Sequence, residues 1–160
     1  MHLMRGTRVR PLSEIEIKAI AVNACFALGF TSKYKYRRRP RRFDVALETL
    51  SQWNIVLDPM DDDEWFQETL GLTIGHCEPD KLTIRVPNHI YEMACGGERS
   101  ALFVIFHELG HLLLQHKPAL HFANAMPEQN EDSEWQADLF AETMLDKLGY
   151  QTAQLCFEFY

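Results

Sequence analysis

The sequence predicts an α+β fold, and three stretches carry that prediction. The segment 98–116, ERSALFVIFHELGHLLLQH, holds ten Ala, Leu, Phe, Val and Ile residues and almost no polar stripe before His107, so it reads as a helix buried on most sides. Leu70, Leu72 and Ile74 alternate with polar or small residues, and after Glu78-Pro79-Asp80 so do Leu82, Ile84 and Val86, the pattern of an antiparallel hairpin. Trp135, Leu139, Phe140, Met144 and Leu145 then recur at helical spacing up to Gly149. Together they describe a small antiparallel or mixed sheet packed on two helices. At 160 residues the chain is most simply one domain, 1–160, with an N-terminal helix and basic segment over 1–42 and a core over 43–160.

The remaining elements follow in order. Ser13-Glu14-Ile15-Glu16 is a capping box with Leu12 and Ile17 placed as a hydrophobic staple, which starts a helix that ends near Gly29. Residues 31–42 lack periodicity and form a connection. Asp44 is placed to cap a short helix through Leu47, Leu50 and Trp53, and Ile55-Val56-Leu57 is a short strand stopped by Asp58-Pro59. Asp61, Asp62, Asp63 and Glu64 lack the alternating ligand spacing of a calcium loop and mark a helix start. Asn88 caps another short helix, and Gly96-Gly97 turns the chain into the central one. The stretch 117–130 is a loop, Ser133-x-x-Gln136 is a second capping box, and the apolar tail 150–160 should dock on the body.

Composition narrows the function classes. The chain is 46% hydrophobic and 24% charged, and no run approaches the eighteen or so apolar residues of a membrane span. The first residues lack the apolar region of a secretory signal, and Cys25, Cys77, Cys95 and Cys156 show no C-x-x-C spacing. Reduced thiols and a cytoplasmic location follow as expectations. The net charge of −7 divides into +9 over residues 1–42 and −16 over 43–160. Lys33, Lys35, Arg37, Arg38, Arg39, Arg41 and Arg42 concentrate the basic excess. With so acidic a remainder, that run favours contact within the protein or with a protein partner over direct nucleic-acid binding.

The chemistry lies in the central helix. His107, Glu108 and His111 form H-E-x-x-H, and a spacing of four puts both imidazoles on one helix face, one turn apart, within reach of one metal ion. Glu108 is about 100° of helix round from His107, placed to touch a water on that metal rather than to bind it. Burying three ionisable groups unpaired would cost several kcal/mol, and a metal accounts for their presence. A catalytic zinc site needs a third protein ligand. Leu114 and Lys117 stand where a metzincin has Gly and His. His116, on the same helix five residues past His111, is rotated off the metal face. His121 on the following loop remains open, as does Glu134, which has Asp138 one turn further on; one carboxylate would serve the metal and the other a ligand imidazole. Lone His76 and His89 read as hydrogen-bonded residues rather than ligands.

FHELGHLLL followed two dozen residues later by EWQADLFAE resembles the ImmA/IrrE family of bacterial and phage metallopeptidases, whose members pair H-E-x-x-H with a later E-x-x-A-D/N-x-F-A. The likeness spans roughly residues 44–146, although the Met-Pro step that often follows the second motif is replaced here by Met144-Leu145. It implies a zincin-like fold, Zn2+ as cofactor, His107, His111 and Glu134 as ligands and Glu108 as catalytic base. It further implies a zinc endopeptidase that acts with an XRE-type helix-turn-helix regulator or antitoxin, in a toxin-antitoxin or mobile-element setting. Asp138 is expected to accept a hydrogen bond from a ligand imidazole. Tyr91, His116, His121 and Tyr150 have the chemistry to stabilise an oxyanion, and an extended substrate would add to the free edge of the hairpin. Two other classes compete: a metal-stabilised binding module acting through a regulator, which has no use for Glu108, and a nucleic-acid binder using residues 33–42, whose affinity would fall steeply with salt.

Overall fold

A computed structural model describes residues 2–30, 42–116 and 126–150. The basic run up to Arg41, His121, Cys156 and the tail from residue 151 lie outside them. Among the described residues are six α-helices and a three-stranded mixed sheet.

Helix α1, Glu14–Ala27, begins at the expected capping box: Ser13 Oγ accepts from the Glu16 N–H, and Glu16 accepts from the Ser13 N–H. Leu12 and Ile17 are both buried, as a staple requires. Helix α2, Asp44–Thr49, runs on into a 3-10 turn over Leu50–Trp53. Asp44 is not its cap. Phe43 holds that position without a side-chain bond, because its own N–H is drawn to the Cys95 carbonyl and its ring is buried. Asp44 instead lies in the first turn, where its charge suits the helix dipole.

Strand β1, Val56–Met60, pairs in parallel with β3, Thr83–Pro87, and β2, His76–Glu78, pairs antiparallel with β3, giving the order β1-β3-β2. Asp58-Pro59 does not stop β1. As an edge strand it needs hydrogen bonds on one side only, so the missing proline N–H is tolerated. The hairpin exists, joined by a 3-10 turn over Pro79–Lys81, but its first strand is shorter and later than the alternation suggests. Helix α3, Asp62–Thr69, capped by Asp61, ends at Leu70 in a left-handed conformation. Leu72 then folds back onto the Thr69 carbonyl, and the Trp65 indole donates to the Thr73 carbonyl, so 70–74 is a stapled turn with Leu72 and Ile74 exposed.

Helix α4, Asn88–Cys95, has Pro87 rather than Asn88 at its cap; Asn88 bonds Glu92 along the first turn. The central helix α5, Arg99–Leu113, packs on α6, Ser133–Lys147. They lie close at Gly110, where an added Cβ would lie 3.1 Å from the Phe140 ring. Phe106, Leu109, Phe140, Met144 and Leu145 are fully buried around this contact, and α1 closes the other side of α6 with Ile17, Ala21 and Cys25. The capping box expected at Ser133-x-x-Gln136 is displaced. Asp132 caps α6 by accepting from the Glu134 N–H, while Ser133 Oγ accepts from the Thr7 N–H. The N-terminal segment forms a strap here, bridging Arg8 to Asp132 and bonding Val9 to Glu131 and Leu12 to Asn130. These long-range bonds redirect side chains that a local motif would use differently.

Candidate metal centre

His107 and His111 project from the same face of α5, and Glu134 enters from the first turn of α6. His107 Nε2 lies 2.9 Å from Glu134 Oε2, His111 Nε2 lies 3.3 Å from Glu134 Oε1, and the two imidazole Nε2 atoms are 3.1 Å apart. Tetrahedral ligands about 2.0–2.1 Å from one zinc ion sit roughly 3.4 Å from each other, so this triangle fits such an ion with a few tenths of an ångström of adjustment. Two nitrogens and one carboxylate oxygen also match the donor preference of zinc. Among the described residues these three form the one group of histidine, cysteine and carboxylate side chains with that convergence. His76 lies 3.8 Å from Glu78, and His89 pairs with Asp62 at 2.8 Å.

The surroundings orient the triangle. Asp138, one turn along α6 from Glu134, accepts from His107 Nδ1 at 2.8 Å, and its other oxygen is held by Arg5 at 2.9 Å. Burial works to lower the His107 pKa, but Asp138 and Glu134 outweigh it and raise it to about 9. The imidazoles of His107 and His111 in turn hold the Glu134 carboxyl far below its usual range. Glu108 differs: burial, opposed by His111 and His107, pushes its pKa up. It sits beneath the turn before β2, where a Cβ on Gly75 would come within 3.0 Å of Glu108 Oε1.

His116 is where helical extrapolation fails. Helix α5 ends at Leu113, and Gln115 takes a left-handed conformation, φ 53°, that swings the chain back until the His116 N–H bonds the His111 carbonyl. His116 Nδ1 then lies 2.7 Å from His111 Nδ1, and its Nε2 lies 2.7 Å from Gln136 Oε1. Burial, against the opposing Gln136 bond, lowers the His116 pKa to about 4. With both nitrogens engaged it is not placed to stabilise an oxyanion. Tyr150 is committed to the Gly97 carbonyl at 2.6 Å and Tyr91 to Cys95. Arg5, Asp132 and Gln136 escaped the sequence reading because their roles depend on the strap. The only local signal was Gln136 between the two carboxylates of EWQAD.

Residues 81–149 match a family model, Peptidase_M78, described as the IrrE N-terminal-like domain. This segment resembles the ImmA/IrrE metallopeptidases. The IrrE-like segment contains His107, Glu108, His111, Glu134 and Asp138 and runs from the end of the hairpin turn to the end of α6. The strap, α1, α2, β1 and β2 lie outside it, so the likeness is narrower than the motifs and hairpin suggest. Searches of curated proteins and of solved structures found no significant match.

Proposed function

We propose that the chain is a zinc-dependent endopeptidase of the ImmA/IrrE type with a zincin-like fold, in which His107, His111 and Glu134 hold the metal and Glu108 is the catalytic base. The convergence of three ligand atoms from α5 and α6 beside a buried carboxylate, within an IrrE-like segment, carries this reading. Held by these residues, zinc would supply Lewis acidity toward a water and the scissile carbonyl. Glu108 accepts a proton from the attacking water and passes it to the leaving amine; its raised pKa suits a group that must gain and lose a proton. Asp138 keeps His107 oriented through Nδ1, leaving Nε2 for the metal.

Strand β2 is the sheet edge nearest this chemistry, and an extended peptide pairing with it would run past Glu108. Exposed Leu72 and Ile74 just upstream favour apolar side chains near the scissile bond. The substrate is one or a few cytoplasmic proteins, and an XRE-type helix-turn-helix regulator encoded nearby is the first to try, as substrate or as restraining antitoxin. Co-expression of the wild-type chain with that regulator should yield a shortened regulator, and Glu108→Gln should leave it intact, a rate loss of about 10²–10⁴-fold. Equal cleavage by both forms would refute the role of Glu108.

A further inference from the structure

Trp65 is the one buried residue of helix α3, and its indole N–H donates to the Thr73 carbonyl at 2.9 Å. Around this anchor Phe66, Leu70, Leu72 and Ile74 are 62, 70, 83 and 54% exposed. The backbone holds them outward. Thr69 Oγ1 donates to the Trp65 carbonyl and accepts from the Gly71 N–H, the Leu72 N–H bonds the Thr69 carbonyl, and Leu70 and Gly71 are both left-handed, φ 56° and 73°. The apolar surface is thus preformed, and an exposed patch of this kind marks an interaction site. Asp63, Phe66 and Leu70 share one face of the helix at i, i+3 and i+7, which sets a carboxylate at the end of the apolar row.

The charge here is as one-sided as the polarity. From Phe43 to Asp80 the chain has ten carboxylates and no lysine or arginine. Some serve the fold: Asp61 caps α3, Asp62 holds His89, and Glu78 meets Arg85 and Lys81. The exposed side chains of Asp63, Glu64 and Glu68 make no hydrogen bond or ion pair with any described residue. The same turn leads into the candidate site, because Ile74 is followed by Gly75, packed on Val104 and Glu108, and then by the edge strand β2. Apolar side chains with lysine or arginine beside them complement this surface, whereas an acidic segment would set like charges against Asp63, Glu64 and Glu68.

We propose that α3 and the turn 70–74 form a docking surface for a basic, apolar segment of a protein substrate, next to the residues that pair with β2. What happens beside the docked segment rests on the peptidase reading above, but docking itself needs neither metal nor turnover.

Fluorescence-anisotropy titrations of the metal-free, full-length protein with three labelled peptides of equal length, alternating Lys-Leu, Glu-Leu and Lys-Ser, separate the apolar and charged contributions. The Lys-Leu peptide should bind about tenfold more tightly than either of the others. Leu72→Ser should weaken it about tenfold, and Asp63→Lys about threefold, an effect that fades at high salt. Val45→Ser, at a comparably exposed position on α2, should change nothing. Equal binding of the Lys-Leu and Glu-Leu peptides, or equal losses from Leu72→Ser and Val45→Ser, would overturn the proposal. So would a concentration-dependent dimer that Leu72→Ser dissolves, since a second copy would then cover the patch. Docking as expected by a protein that takes up no zinc would support the surface and contradict the zinc reading.

Discussion

Glu108 and Glu134 are the same residue type against the same two histidines, yet their surroundings drive them in opposite directions. Burial raises the Glu108 pKa, whereas direct bonds to both imidazoles lower that of Glu134. A carboxylate kept ionised suits a ligand, and one that is easily protonated suits a base, so the two proposed roles match the two environments. Asp138 belongs with the first kind, since bonds from His107 and Arg5 overcome the effect of its burial. Asp138→Ala should weaken zinc binding about 10–100-fold without abolishing it, as measured by competition with a chelator. Unchanged affinity would remove Asp138 from the site. The spacing of H-E-x-x-H and of EWQAD made these residues legible, because four-residue steps on a helix fix which side chains share a face. His116 was not legible: its position depends on where α5 stops and on one left-handed residue, Gln115, neither of which the periodicity records.

At the scale of elements, the site is a contact between two helices and an edge strand, and glycines set both distances. Gly110 allows α5 to lie against Phe140, which is fully buried and would have to shift by a few tenths of an ångström to admit a Cβ. Gly110→Ala should destabilise the protein by about 1–3 kcal/mol, seen as a lower melting temperature, despite the better helix propensity of alanine. A stabilised variant would mean that the helices can part at little cost. Gly75 brings the turn before β2 onto Val104 and Glu108, where a Cβ would meet atoms at 2.9–3.1 Å. Gly75→Ala should therefore reduce the proposed peptidase activity while leaving zinc content unchanged; loss of metal instead would place the disturbance at the proposed ligands. Helix positions were readable from apolar spacing and strand β3 from alternation. The turn at 70–74 was not, since Leu70, Leu72 and Ile74 alternate as a strand would while the end of α3 and the Trp65 bond fold them otherwise.

Across the whole molecule, the H-E-x-x-H and EWQAD motifs sit in one segment, and residues outside it complete their setting. The strap from His2 to Leu12 closes over the start of α6 through Asp132, Ser133 and Glu131, joining parts of the chain more than 120 residues apart. Such pairings cannot be read from local pattern, which explains why the helices and the H-E-x-x-H were evident in the sequence and the supports of the His107, His111 and Glu134 group were not. The proposed chemistry depends on a metal held by His107, His111 and Glu134. An equilibrium zinc titration of the metal-free wild type beside Glu134→Ala and Glu131→Ala tests that most directly. Glu131 is the informative control, because it lies one turn earlier but is bound to Arg8 rather than to the histidines. The expected result is one zinc per chain for the wild type, loss of most binding in Glu134→Ala and near wild-type binding in Glu131→Ala. A wild type that binds no zinc, or a larger loss from Glu131→Ala than from Glu134→Ala, would contradict it.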